Sequence, residues 1–482
     1  MALSKLLDAA SFRRLQLIEI LISDDTWRTI EKLSDNLKCS RRTLIADIQM
    51  INSHSEDNFF IKTSKQRGVK LFTSDLFHME EIYKDLVESS LNFQIIKKVI
   101  ELDVTTCEDL SELLYTSQSS INRNLKQINL FLAEYDLIIH SNPIKITGME
   151  KQIRYFYSIF LSEYYSSNMN DFQHPLKNTA NHFLEQLERE REAYPYSFLT
   201  HHRTLIWMTV CSDRVSKGHF IEDNYAIPEV INASIEQVLS RLVKQLPFEV
   251  PNREKTFMMY IFWNNHREFN IENLASDPVL QSAHKDVSSF IEKIKKETGY
   301  EIENQALLIT NLIGYCFYHD FFKGPSNLLF SPERRLYGPS LKMFKEFIEI
   351  VSKTVKQYPQ GSWVREVQLD EFIFILILFW KSLVPQIISK KEKIQILVIS
   401  YIGIHQELFI SDMLQARFPT LVTCYAATEI ASYHKDIQIV LTDHNVKWMK
   451  QKMDFTKKVI GIETIPTKRD WKRIEEMIDK FK

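Results

Sequence analysis

Apolar residues recur at helical spacing between residues 12 and 23, and again at 29–39 and 40–54. This pattern predicts three helices, and Ser40 is placed to cap the third. The second and third helices are short and joined by a tight turn, and basic residues open the third. That arrangement is typical of a helix-turn-helix. Residues 59–74 alternate in places around a Gln-Arg-Gly turn and predict a hairpin, the wing.

A second series of elements follows in the same order. A helix over Leu91–Leu102 leads to a short helix from Cys107 and to a longer helix that Ser117 can cap. Residues 137–148 then predict a strand, a turn and a strand. The two series share element order with little residue identity, so we interpret them as a structural repeat of winged helix-turn-helix units.

The rest of the chain divides into a helical and a mixed part. Residues 150 to about 390 predict almost continuous helix, long enough for two bundles that join near residues 275–285. From Lys393, β-branched runs alternate with helical segments, which predicts a small parallel α/β sheet. The predicted fold is therefore mainly α and multidomain. The expected domains are 1–75 and 76–160 (winged helix-turn-helix), 161–278 and 279–390 (helical), and 391–482 (α/β).

Local charge favours DNA as a partner of the first unit. The whole chain carries 60 Lys and Arg against 62 Asp and Glu, which neither demands nor excludes a polyanion. Between Lys38 and Lys70, however, seven basic residues face three acidic ones, Asp47, Glu56 and Asp57. Phosphate contact requires such local basicity. The second unit is less basic, with Arg123 and Lys126 as its main cations.

The candidate DNA contacts are polar side chains of the two predicted units that do not face the predicted core. They are Ser40, Arg41, Arg42, Thr43, Gln49, Lys62, Lys65 and Arg67 in the first unit, and Gln118, Ser119, Ser120, Asn122, Arg123 and Lys126 in the second. The alternative for the first unit is an ordinary helical pair. For the second unit it is a spacer or a dimerisation unit.

Several other classes of function lack their sequence signatures. The five cysteines are at least 68 residues apart and the 14 histidines form no His-x-x-x-His pair, so we expect no metal, no cofactor and reduced thiols in a cytoplasmic protein. No Walker motif, nucleophile elbow or dinucleotide fingerprint occurs. The longest apolar run, Phe372–Trp380, is shorter than the roughly 20 residues that a bilayer span needs. We therefore expect a buried helix and no membrane partner.

The order of these parts resembles the Mga/AtxA/MafR-type regulators of Gram-positive bacteria, over essentially the whole chain. The resemblance implies that the helical domains are phosphotransferase-system regulation domains, whose histidines accept phosphate from the phosphocarriers of sugar transport. The matching positions are His201 or His202 and His266 in the first domain and His319 in the second. The alternative for each histidine is a packed or surface side chain.

The C-terminal module resembles enzyme IIB of the same transport system, in which a cysteine after the first strand carries phosphate. Here Ser400 stands at that place and only Gly403 remains of the loop glycines. A serine hydroxyl cannot supply a ready thiolate, so we expect a domain retained for contact or dimerisation.

The expected function is a transcription regulator that binds promoter DNA. The resemblance implies an activator that is tuned by histidine phosphorylation and acts as a homo-oligomer, with a dimer the simplest form. The rival hypothesis is a phosphoryl-transfer enzyme or relay component of the sugar phosphotransferase system.

Overall fold

The computed structural model describes residues 3–23, 26–54, 59–75, 77–166, 169–190, 198–223, 239–259, 277–278, 280–328, 343–390, 392–427, 437–445 and 458–481. The chain forms two compact units. The first comprises Met1–Gly299 and Asn304–Phe379, and the second comprises Tyr300–Glu303 and Trp380–Lys482. Helices predominate, as predicted.

The first winged helix-turn-helix unit is built on a small apolar core. Its elements are α1 (Leu3–Leu6), α2 (Ala9–Ile22), α3 (Ile30–Asn36), α4 (Arg41–His54), β1 (Phe59–Ser64) and β2 (Gly68–Thr73). Leu33, Leu44 and Ile48 are fully or almost fully buried between the helices. Arg28 pairs with Val69 and adds one residue of a third strand to the hairpin. Gly68 packs so closely against Arg28 that a Cβ at this position would overlap the carbonyl oxygen of Arg28, so only glycine fits there.

The second unit repeats this order after one connecting helix, α5. Its elements are α5 (Met79–Ser89), α6 (Leu91–Leu102), α7 (Cys107–Leu113), α8 (Gln118–Leu132), a 3₁₀ turn (Ala133–Tyr135), β3 (Ile138–Ser141) and β4 (Ile144–Thr147). Leu110, Ile121 and Ile128 form its core. Thr105 pairs with Ile144 as Arg28 pairs with Val69.

Between residues 150 and 379, every regular element that the structure describes is a helix. These are α9 (Glu150–Tyr164), a 3₁₀ turn (Met169–Asp171), α10 (Lys177–Glu190), α11 (Phe198–Ser216), α12 (Asn252–Met258), α13 (Gln281–Thr298), α14 (Gln305–Phe321), α15 (Lys345–Lys356) and α16 (Leu369–Phe379). Helix α9 is buried along most of its length. It therefore packs as a central helix rather than as a surface helix with one apolar stripe.

The second compact unit contains a parallel sheet, as predicted. Its elements are α17 (Leu383–Lys390), β5 (Ile394–Ile399), α18 (Ile404–Arg417), β6 (Val422–Ala426), β7 (Ile439–Thr442), β8 (Lys458–Gly461) and α19 (Lys468–Phe481). The strand order is β6-β5-β7-β8 and every pairing is parallel. The strand order reverses between β5 and β7. Ligands bind open α/β sheets beyond the carboxyl ends of the strands at such a reversal.

Among the helices that the structure describes, none has by itself the length and apolarity to cross a bilayer; α16 and α17 reach that threshold only when counted together.

Candidate nucleic-acid interface

Helix α4 presents one face to solvent, and two of the predicted contacts, Arg42 and Gln49, lie on it. Arg42, Ile45 and Gln49 are exposed on this face, while Leu44 and Ile48 are buried on the other. The hydroxyl of Ser40 accepts the Thr43 N–H at 3.1 Å and caps the helix as predicted. Thr43 is half-buried, and its hydroxyl lies 2.8 Å from that of Ser40. It contributes to the cap more than to the exposed face.

Two acidic residues change the charge balance that the sequence indicates. Arg41 forms an exposed ion pair with Glu31 of α3, so its guanidinium has a carboxylate partner before any ligand binds. Asp47 is buried on α4, and its carboxylate accepts hydrogen bonds from Arg13 of α2 at 2.6 and 3.2 Å. Asp47 therefore stabilises the packing of α2 against α4 and adds little negative potential to the exposed face.

The first wing carries exposed cations on its first strand and in its turn. Lys62, Lys65 and Arg67 are exposed. Lys62 lies directly opposite Lys70 in the antiparallel register. Like charges at directly opposed positions destabilise a hairpin, and a polyanion that lies along the wing relieves this repulsion.

Helix α8 exposes the corresponding face of the second unit. Ser117 accepts the Ser120 N–H at 3.2 Å and caps the helix. Ser120 is half-buried in this first turn, as Thr43 is in α4. The Asn122 amide donates to the carbonyl of Gln118 at 3.0 Å. The exposed members of the predicted set are Gln118, Ser119, Asn122, Arg123 and Lys126.

The two units are related by a constant shift of 77 positions. The shift is the same for the helix caps Thr29 and Thr106 (106 − 29 = 77) and Ser40 and Ser117 (117 − 40 = 77). From cap to cap, the segments 29–40 and 106–117 share six of twelve residues, so the expectation of little residue identity between the repeats is wrong for this stretch. Lys38 and Tyr115, also 77 positions apart, both have a φ of 50° in the turn.

Two asparagines that the sequence pattern did not single out fix each wing to its recognition helix, α4 in the first unit and α8 in the second. The Asn52 amide donates to the carbonyl of Ile61 and accepts its N–H, both at 2.8 Å. Asn129 forms the same two hydrogen bonds with Ile139, at 2.9 and 2.7 Å. Their position twelve residues after each helix cap, Ser40 and Ser117, is the signal that could have identified them.

The second unit also contacts the helical region through Tyr135, which follows α8. The Tyr135 hydroxyl donates to the carbonyl of Pro325 at 2.8 Å. Gln152 of α9 donates to the carbonyls of Tyr135 and Lys323 at 2.9 and 3.1 Å. Gly324 packs so closely that a Cβ there would lie 2.5 Å from the Tyr135 ring. The segment 323–325 begins four residues after His319, so the turn that follows α8 contacts the segment that follows the helix carrying this histidine.

A buried network of charged side chains joins α6, α9 and α11. Glu150 accepts hydrogen bonds from Arg214 at 2.7 and 2.8 Å and from Arg154 at 2.9 Å. Arg214 also donates to Asp103, which follows α6, at 2.5 Å, and Arg154 donates to Glu254 at 2.6 Å. Burial alone raises the pKa of Glu150, but its hydrogen bonds and the two guanidinium charges hold that pKa below its ordinary value. The network connects the second winged helix-turn-helix unit to the helical region.

The predicted phosphate acceptors lie in different environments. His202 is only 4% exposed, and burial lowers its pKa to about 4. Its neighbour His201 is half-buried, with Nε2 3.1 Å from Oδ1 of Asn181. His319 is half-buried near the end of α14, and burial together with the Lys323 cation lowers its pKa. His266 lies outside the described residues.

A pair of carboxylates closes the loop that carries Ser400 in the C-terminal unit. The Ser400 hydroxyl and the Tyr401 N–H each donate to Asp443 at 2.7 Å. The Ser400 N–H donates to Glu407 at 3.1 Å. Ser400 follows β5 and Asp443 follows β7, so this cluster occupies the reversal of strand order. The chain's own carboxylates thus use the donors that an anionic ligand would need there.

Across the described ranges, no group of three or more His, Cys, Asp or Glu side chains is arranged to hold a metal ion. The cysteines in these ranges are unpaired, and burial raises the pKa of the Cys424 thiol to about 12. That thiol is therefore protonated at neutral pH and is a poor nucleophile.

Comparisons with known proteins agree with the two units. Residues 13–70 match the HTH domain family, and residues 75–161 match the Mga helix-turn-helix domain family. Over 426 residues, 85% of each chain, the protein is 22% identical to a trans-acting regulator of Streptococcus pneumoniae. It is 25% identical over 316 residues, 63% of this chain and 65% of the relative, to the capsule synthesis positive regulator AcpA of Bacillus anthracis. The anthrax toxin expression trans-acting positive regulator of the same species is 20% identical over 214 residues, 44% of each chain. The chain is therefore similar to trans-acting and positive regulators of these bacteria, and its residues 75–161 are similar to the Mga helix-turn-helix domain.

Proposed function

We propose that this protein is a positive regulator of transcription that binds double-stranded promoter DNA through both winged helix-turn-helix units. The main support for this proposal is the repeat itself: equivalent residues of the two units lie 77 positions apart, and both units expose the same face of their recognition helices, α4 and α8. In each unit that face bears unpaired cations within the described residues, Arg42 in the first and Arg123 with Lys126 in the second. Similarity to relatives named as positive regulators supports activation.

The DNA contacts divide by their surroundings in the free protein. The proposed contacts of the first unit are Arg42, Gln49, Lys62, Lys65 and Arg67. Arg41 can join them only when its ion pair with Glu31 breaks. In the second unit they are Gln118, Ser119, Asn122, Arg123 and Lys126. We assign Ser40, Thr43 and Ser120 to the helix starts, where hydroxyls and backbone N–H groups can also reach phosphate.

Titration of the full chain with promoter fragments over a range of salt tests this function. Each phosphate contact contributes about 0.9 to the slope of log K against log salt. We expect Arg42→Ala to weaken binding and to reduce the slope by about one. Arg41→Ala should have a smaller effect, because Arg41 must give up its ion pair with Glu31 before it can contact a phosphate. Lys296→Ala, an exposed cation on α13, is the matched control. Unchanged affinity and slope for Arg42→Ala combined with Arg123→Ala would exclude this interface.

We further propose that phosphocarrier proteins of the sugar phosphotransferase system modify His201, His266 and His319, and that this modification tunes regulatory output. The greater burial of His202 favours His201 as the acceptor of that pair. A dianion at His319 lies four residues before the segment that contacts Tyr135. Desolvation and repulsion from Asp320 disfavour the phosphate in that position, so modification shifts how the helical region packs on the second unit.

Incubation with purified phosphocarriers, followed by mass spectrometry for acid-labile phosphate, tests this regulation. His201→Ala should lose label that His202→Ala retains. Promoter activity should differ between His319→Ala and His319→Asp, because only aspartate supplies the negative charge. Absence of label, with equal promoter activity in both substitutions, would leave these histidines as packing residues.

We propose that the C-terminal unit mediates self-association and carries no phosphate. Asp443 and Glu407 already use the donors around Ser400, which counts against the rival hypothesis of a phosphoryl relay. Exposed apolar side chains surround the closed loop, including Tyr401 at 79%, Ile402 at 62% and Ile465 at 68%. Gln406 donates to the carbonyl of Thr464 and joins the segments that carry these side chains. Such a patch is typical of an interface.

Sedimentation of the full chain tests the interface. Ile402→Asp with Ile465→Asp should lower the oligomeric state, whereas Leu378→Asp, at an exposed position on α16, should not. An unchanged oligomer in the double variant, and after removal of residues 393–482, would refute the proposed role.

A further inference from the structure

Helix α4 exposes an apolar side chain at the centre of its solvent face. Ile45 is 41% exposed and lies between Arg42, one turn before it, and Gln49, one turn after it. The core of the unit takes Leu44, Ile48 and Ile51 from the opposite face. Single exposed isoleucines are common. Ile45 differs from them because it lies at the centre of the face that bears the proposed DNA contacts Arg42 and Gln49.

The second unit shows that the fold does not require an apolar residue at this position. The 77-residue shift places Asn122 where α4 has Ile45, Arg123 where it has Ala46, and Lys126 where it has Gln49. Asn122 is exposed as Ile45 is. The same helix, cap and wing therefore form with a polar residue here, and packing does not explain the isoleucine.

The chemistry of the face matches the groups that A·T base pairs present in the major groove. Glutamine can bind adenine through N6 and N7, and the C5 methyl of thymine is the apolar group that a T·A or A·T pair presents there. Ile45 and Gln49 lie four residues apart and point in the same direction. Arg42 on the same face supplies a cation for the phosphates or a guanine edge. An aliphatic side chain beside glutamine thus suits adjoining A·T pairs.

We propose that Ile45 is a specificity-determining residue that reads thymine methyl groups in the major groove. The inference rests on the proposed DNA binding. It assigns selectivity for thymine to the first unit, whereas the second unit reads through the hydrogen-bonding groups of Asn122, Arg123 and Lys126.

Replacement of thymine by deoxyuridine tests the inference, because it removes the C5 methyl and leaves every hydrogen-bonding group. A duplex enriched by the full chain from a random library is prepared with either base. The wild-type chain should bind the deoxyuridine duplex more weakly, roughly 4-fold for each methyl buried. Ile45→Ala should weaken binding to the thymine duplex and show no difference between the two duplexes. Leu102→Ala, which removes an exposed leucine from α6, should retain the wild-type difference.

The double-substitution cycle separates the possible failures. If replacing thymine by deoxyuridine weakens binding by the same factor in Ile45→Ala and in the wild type, residues other than Ile45 contact the methyl groups and the inference is wrong. If Ile45→Ala changes the oligomer without changing the discrimination, Ile45 is a protein contact and the inference is again wrong. Absence of any enriched duplex would instead refute the proposed DNA binding itself.

Discussion

Asn52 and Asn129 lie 77 positions apart and form the same pair of hydrogen bonds, each to both backbone groups of one wing residue. A side-chain amide has one donor end and one acceptor end, and therefore fits the N–H and C=O of a single residue. Each asparagine fixes the first strand of its wing to the end of the recognition helix. The repeat is thus conserved in its internal bonding as well as in element order.

Asn129→Ala should loosen the second wing. The substitution leaves the N–H and C=O of Ile139 without their partners in a half-buried site, which costs about 1–3 kcal/mol. Faster hydrogen exchange at the Ile139 amide and a lower unfolding midpoint would show this. Asn124→Ala, on the same helix, removes hydrogen bonds to Ser120 of that helix and none to the wing, and is the control. Equal exchange at Ile139 in both variants would contradict the prediction.

Glu150→Gln should destabilise the helical region strongly. The carboxylate lies between the guanidinium groups of Arg154 and Arg214, and removing its charge leaves two buried cations with less compensation. Breaking a buried ion pair from one side costs about 3–5 kcal/mol. The free energy of unfolding measures this loss. Glu349→Gln, which breaks an exposed pair with Lys345, should cost less than about 1 kcal/mol. Comparable losses in the two variants would contradict the buried role.

Gly324→Ala should weaken the contact between the helical region and Tyr135. Its φ of +95° strains any other residue, and the new Cβ would lie 2.5 Å from the Tyr135 ring. Gly361→Ala is a matched control, because its φ is +83° and nothing lies within 4 Å of its Cβ. Thermal unfolding should show a loss larger than the control by about 1–3 kcal/mol. Equal losses would mean that backbone strain alone accounts for the effect.

His202 should make stability fall as the pH is lowered from 7 to 5. The unfolded side chain titrates near 6.5, whereas burial lowers its folded pKa to about 4. Between these values the unfolded state binds more protons, so acid favours unfolding. Between pH 7 and pH 5, protonation of His202 in the unfolded state lowers the free energy of unfolding by about 2 kcal/mol. Urea titrations at both pH values should show a smaller pH dependence for His202→Gln, while His140→Gln, exposed on β3, should retain that of the wild type.

Asp443→Ala should open an anion site in the C-terminal unit. The substitution frees the Ser400 hydroxyl and the Tyr401 N–H at the carboxyl end of β5. Inorganic phosphate should then raise the thermal unfolding midpoint of the variant above its value in chloride at equal ionic strength. The wild type and Asp412→Ala, a substitution at an exposed position on α18, should show no such rise. A phosphate response in the wild type would show that the carboxylates do not fill the site.

The sequence by itself determined the elements and their order. Helix caps, apolar spacing and turn residues are local signals, so Ser40, Ser117 and the parallel strands after Lys393 could be predicted from neighbours along the chain. The exposed cations of both recognition helices followed from the same spacing. The comparisons support the helix-turn-helix assignment.

Only the tertiary structure decided which of these side chains already have partners. Arg41 meets Glu31, Asp47 meets Arg13, and Ser400 meets Asp443 across 43 positions of the chain. Tyr135 likewise reaches Pro325, 190 positions away. Such contacts depend on how whole elements pack, and neither local spacing nor composition records that packing. The sequence therefore predicts where a charge lies along an element, and the fold determines whether that charge remains available to DNA.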